Sequence, residues 1–162
     1  MATKLTKWQA DTLLAAYKKQ QTDAANAAIA AYDAQVDADV SATERQVAAD
    51  RKAAEQSAAA SYDQLAVQAM IDRLRVAETL AGLGLARSGA ADAAYDGIGR
   101  KRAVAERKTA QNTRAILSEL SQKLVTAREN AAAKKAKNAA SVRKTLDGKV
   151  AEKRLTLTKA TM

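Results

Sequence analysis

The chain has 162 residues, a formal net charge of +9, and no Pro, Cys, His or Phe. Without Cys it has no disulfide or thiolate metal site, and without His as well it lacks the usual zinc, copper and haem ligand sets. No run of about 18 apolar residues occurs, so no transmembrane segment is expected, and residues 1–10 carry Lys4 and Lys7 without the apolar stretch of a secretory signal.

Ala fills 42 positions. It is the best helix former because it has no side-chain rotamers to lose. Pro, the strongest helix breaker, never occurs. Leu, Ile and Val together number only 27, with one Trp (Trp8) and four Tyr. So few large side chains suit a disordered chain as well as a helical one, but the scarcity of Pro and Gly favours helix. They cannot build a thick core, although they can line a narrow seam. The expected fold is all-α: two very long helices joined by a Gly-rich connection, as a helical hairpin or an extended coiled-coil-like rod in an oligomeric assembly.

Residues 1–81 contain no Gly and read as one Ala-rich helix from about Leu5 to Leu80, roughly 110 Å long at 1.5 Å per residue. Leu14, Ala25, Val36, Val47, Ala58 and Ala69 stand eleven apart. An eleven-residue period makes 3.67 residues per turn, which suits a straight or slightly right-handed bundle. Tyr32, Val36, Val40, Thr43 and Val47 step by three and four along the same stretch. Asp33, Asp37 and Asp39 form an acidic cluster, but no loop surrounds them and no base or nucleophile accompanies them. They read as a solvated helix face.

Residues 82–99 read as a hinge, because Gly82, Gly84, Gly89, Gly97 and Gly99 fall within eighteen residues. A short helix over 89–96, with Ser88 as its N-cap, fits inside this connection. Neither glycine pair makes a phosphate loop, since no Gly-Lys-Ser/Thr follows. From Arg100 a basic amphipathic helix is expected to about Lys153, with a Thr-rich tail over 156–162 that frays. Ile116, Leu120, Leu124, Ala127 and Ala131 form its apolar stripe. The predicted helix seam therefore comprises Leu14, Tyr32, Val36, Val47, Leu65, Ile116, Leu120 and Leu124. The tetrapeptides at 30–33, 60–63 and 93–96 each carry Tyr-Asp and read as aromatic anchors along the seam.

Residues 1–81 carry 9 basic and 11 acidic side chains, whereas residues 82–162 carry 18 basic and 7 acidic. The predicted basic face holds Arg100, Lys101, Arg102, Arg107, Lys108, Arg114, Arg128 and Lys135, with several members seven apart. Three roles fit it: a solvated face that keeps an assembly soluble, pairing with acidic protein surface including the first helix, and contact with an anionic polymer or membrane surface. No aromatic follows Tyr95, so contact with DNA would be phosphate-led and non-specific. No catalytic, cofactor or metal-binding constellation is present, and a non-enzymatic role is expected.

The segment 77–89 ends one helix and opens the next, with Leu80, Ala81, Gly84, Leu85, Ser88 and Gly89 at its joint. It resembles the connection in small Ala-rich virion proteins of bacteriophages and prophages, and is more loosely similar to the ejection proteins of short-tailed phages. The resemblance covers about residues 68–115. It implies a multi-copy structural component of the tail, head–tail channel or genome-ejection apparatus, made in the host bacterial cytoplasm and carried in the virion. Its partners would be itself and other virion proteins, with possible non-specific DNA contact. The alternatives are a capsid scaffolding or assembly protein and a Lys/Ala-rich DNA-compacting protein.

Overall fold

The computed structural model describes residues 5–161. Two helices account for nearly all of it, α1 (Lys7–Gly82) and α2 (Gly89–Thr161), and no strand occurs among the described residues. The fold is an all-α hairpin.

Each helix end has a local cause. Thr6 and Gln9 form a capping box at the start of α1. The Gln9 N–H donates to Thr6 Oγ1 at 3.3 Å, and the Thr6 N–H donates to Gln9 Oε1 at 2.9 Å. At the other end Gly84 takes a positive φ of 69°. Its N–H donates to the Ala81 carbonyl at 3.1 Å, while the Leu85 N–H reaches back to the Leu80 carbonyl at 2.8 Å. These two bonds make a Schellman motif, which satisfies carbonyls that the helix itself leaves free. Ser88 precedes α2, and its carbonyl accepts from the Ala91 N–H at 2.9 Å. Its hydroxyl donates to the Leu85 carbonyl at 2.7 Å, so it ties the turn rather than capping α2.

The connection is shorter than the glycine cluster suggests. Only residues 83–88 separate the helices. Gly82 is the last residue of α1 and Gly89 the first of α2. Gly97 and Gly99, expected in the hinge, lie inside α2, and the expected short helix over 89–96 is its first two turns. An internal Gly costs a helix only about 1 kcal/mol, which the flanking Ala, Arg and Lys residues offset. The tail expected to fray is helical through Thr161, with Met162 outside the described residues.

The chain divides into two units, each built from a stretch of both helices. The first takes residues 1–43 and 125–162, and the second takes 44–124. In the first, Gln21, Ala24 and Ala25 share a groove with Ser141, Val142 and Thr145, and Val36 and Val40 share another with Ala127 and Ala131. The Leu5 N–H donates to the Ala160 carbonyl at 3.3 Å. In the second, Leu65 and Ala69 lie across from Ile98 and Ala105. Arg51 Nη2 donates to Ser121 Oγ at 2.5 Å. Within each unit the two helical stretches therefore run antiparallel.

Candidate functional site

What the two units offer is a pair of thin apolar seams and a set of exposed faces. Among the described residues seven side chains are buried: Ala10, Val36, Ala131 and Leu157 in the first unit, and Val47, Ala69 and Ala91 in the second. Four of them are Ala, so the helices meet through close backbone approach more than through large side chains. Val47, at 2% exposure, is the most enclosed.

Val36, Val47 and Ala69 are buried, and Leu14, Ala25 and Ala58 are half-buried. A second row at the same spacing, from Ala10 through Gln21, Tyr32, Thr43, Ala54 and Leu65 to Val76, also has no exposed member. On α2 the corresponding row is Ile98, Thr109, Leu120, Ala131, Val142 and Lys153. Eleven residues in three turns nearly match the natural 3.6 per turn, so each stripe stays on one side of its helix within a unit. Tyr62 and Tyr95 are half-buried, like Tyr32 in the second row.

Of the predicted seam residues, Leu14, Tyr32, Leu65, Leu120 and Leu124 are half-buried and Val36 and Val47 buried. Ile116 is 45% exposed. Thr113, Leu117 and Leu120 take the inward positions at that level. The sequence stripe entered one residue off the true line, because steps of four from Leu124 drift around the helix when no step of three corrects them.

The predicted basic face divides. Arg100, Lys101, Arg102, Arg107, Lys108, Arg114 and Arg128 are exposed. Arg102 Nε lies 2.6 Å from Glu106 Oε1 one turn along. Lys135 has left the face: it is half-buried, and its Nζ lies 2.6 Å from Asp37 Oδ1 across the first unit's seam. Arg100 stands two residues after the inward Ile98, on the far side of its turn, whereas Lys135 stands four residues after the buried Ala131, one turn along the same side. A further cross-seam contact sets Lys153 Nζ 5.6 Å from the centre of the Tyr17 ring, within cation–π range.

The acidic cluster is dispersed rather than convergent. Asp37 is engaged with Lys135, Asp39 is exposed, and Asp33 is half-buried. Asp33 Oδ1 is shielded and finds no hydrogen-bond partner among the described residues. No group of three or more His, Cys, Asp or Glu side chains that could hold a metal ion occurs among the described residues. None of the described helices is long and apolar enough to cross a membrane. The grooves along both seams are open and shared by small and polar side chains, an arrangement suited to helix contacts.

One exposed feature was legible in the sequence but not singled out there. Val67, Met70, Ile71 and Leu74 are all exposed on α1 in the second unit. Their spacing of three, one and three is itself that of a helix face. Comparison with protein-family models, with curated proteins and with solved structures gives no match for this chain.

Proposed function

We propose that this chain is a structural protein of a bacteriophage virion, present in many copies as a helical component of the tail, the head–tail channel or the genome-ejection apparatus. The observation that carries this reading is how little the chain buries by itself. It keeps 12088 Å² accessible, where a folded monomer of its mass would expose about 7,800 Å². A chain built this way gains most from neighbours that cover its helix faces. The resemblance of the segment around Leu80, Gly84, Leu85, Ser88 and Gly89 to the connection in Ala-rich virion proteins supplies the phage context. The basic residues of α2 would then meet acidic protein or nucleic acid within the particle.

The test is to purify particles from a host strain producing this chain and to measure its copy number by quantitative mass spectrometry. Several or more copies per mature particle, with loss of infectivity on deletion, support the proposal. Presence in immature particles but absence from mature ones assigns a scaffolding role. Absence from both contradicts a virion role.

A second reading, non-specific DNA compaction, rests on the exposure of Arg100, Lys101, Arg107, Lys108 and Arg114. It requires binding of the full chain to duplex DNA that falls steeply as salt rises. No affinity at low ionic strength removes it.

A further inference from the structure

We propose that α2 of the first unit binds duplex nucleic acid through its phosphates, without regard to base sequence, on an outward arc that carries Lys137, Arg143, Lys144, Arg154 and Lys159. The inference narrows the reading above, which leaves acidic protein and nucleic acid both open, and rests on it for the gathering of many copies. It also moves the contact away from the basic residues at 100–114 in the second unit.

The charge of α2 is concentrated in this unit. Residues 125–161 carry ten basic and three acidic side chains, whereas 89–124 carry seven basic and four acidic. Two of the ten are engaged inside the unit, Lys135 with Asp37 and Lys153 over the Tyr17 ring. The five named above are exposed, and among the described residues none of their side chains is in an ion pair. At about 100° per residue the five span roughly 160° of the helix surface. Arg143 and Arg154 lie along one edge, and Lys137 and Lys159 along the other with Lys144 beside them. Lys135 and Lys153 fall about 80° beyond the Arg143 edge, on the side that meets α1. Between the edges stand the exposed Ala140, Ala151 and Thr158, with Asp147 among them and Glu152 just beyond the Lys159 edge.

That layout selects the partner. A helix packs on protein through a stripe about 100° wide, and protein interfaces form around large apolar or aromatic anchors and are depleted in Lys. Here the arc is wider than such a stripe and three of its five cations are Lys. Leu155 is the one exposed large apolar side chain over the described residues 126–161. A duplex suits the arc, because phosphates line both walls of a groove wide enough to admit a helix, and Lys meets a phosphate as a point charge. With no aromatic after Tyr95, α2 has no platform for stacking bases beyond its second turn, which favours a duplex over single strands. A second copy does not supply the counter-charge. Residues 1–81 carry 11 acidic against 9 basic side chains, a surplus of two, and every added copy brings a further +9. An assembly of many copies therefore gains from a polyanion of another kind.

The test is fluorescence anisotropy of the full chain with labelled duplexes of two unrelated sequences over a range of KCl. Both duplexes should bind alike, with log affinity falling against log salt at a slope of about −3 or steeper, since each phosphate neutralised contributes about −0.9. The variant Lys137→Gln/Arg143→Gln/Lys144→Gln/Arg154→Gln should bind at least about tenfold more weakly, with a slope shallower by about 2 or more. The variant Arg100→Gln/Arg107→Gln/Lys108→Gln/Arg114→Gln loses the same charge and should bind less than about threefold more weakly. Lys135→Gln/Lys153→Gln should bind as the wild type does, and Lys137→Gln/Lys144→Gln several-fold more weakly, all with helicity unchanged by circular dichroism. Equal losses within either matched comparison would show that net charge rather than this face governs binding, and would overturn the proposal. So would tighter binding of polyglutamate than of duplex at the same salt, which would assign the face to acidic protein. No duplex affinity at low ionic strength would overturn this inference and the compaction reading together, and would leave the virion reading to its own copy-number test.

Discussion

Lys135 reaches across the seam of the first unit to Asp37, with Nζ 2.6 Å from Oδ1. The two side chains are 28% and 66% exposed, so water still screens the pair. A double-mutant cycle with Asp37→Ala and Lys135→Ala should give a coupling of about 0.2–1 kcal/mol that shrinks as salt rises. Thermal unfolding of the four proteins at two ionic strengths measures it. A coupling above about 2 kcal/mol would mean a far drier contact than this one.

Val47 and Ile116 test the seam from opposite sides. Val47→Ala removes two methyl groups from the most enclosed side chain and should cost about 1–2 kcal/mol. Ile116→Ala removes more carbon from a side chain that is 45% exposed and should cost less than about 0.5 kcal/mol. The comparison is by denaturant midpoint. Equal costs would show that burial does not govern stability along these helices.

The glycines separate by conformation. Gly84→Ala puts a side chain at a φ of 69° and should destabilise the turn by about 1 kcal/mol. Gly97→Ala and Gly99→Ala lie within α2, and a Cβ at either meets no atom within 4 Å. Each should stabilise by about 0.5–1 kcal/mol, because Ala forms helix better than Gly. Melting temperatures that fall for Gly84→Ala and rise for the other two would bear out the six-residue connection.

Asp33 is half-buried with one carboxylate oxygen shielded and without a partner. Asp33→Ala removes an incompletely solvated group and supplies the better helix former. The variant should therefore be as stable as the wild type or more so by thermal melting. A loss above about 1 kcal/mol would reveal a partner that this carboxylate serves.

The helical fold was legible in the sequence, because abundant Ala and the absence of Pro leave little else for so long a stretch to form; Val36 and Val47, read there as seam residues, are buried. Ile116 and Lys135 were misplaced for one shared reason. A four-step or seven-step pattern departs from 3.6 residues per turn and so moves around the helix as it is followed along the chain. Gly97 and Gly99 misled because glycine weakens a helix without breaking it. The patch at Val67, Met70, Ile71 and Leu74 went unnoticed because a sequence shows that a helix has two apolar sides without saying which of them the hairpin covers. Thr6 and Gln9, the capping box that starts α1, were visible signals that were not used.

The proposed multi-copy assembly would draw much of its stability from association, and the most direct measurement is the melting temperature of the full chain by circular dichroism across a thousandfold range of concentration. The melting temperature should climb by several degrees as the chain is concentrated, in step with its mass in sedimentation, because a partner that binds only the folded state stabilises it by mass action. A high melting temperature that stays the same at every concentration, from a chain that sediments as a monomer, would contradict this.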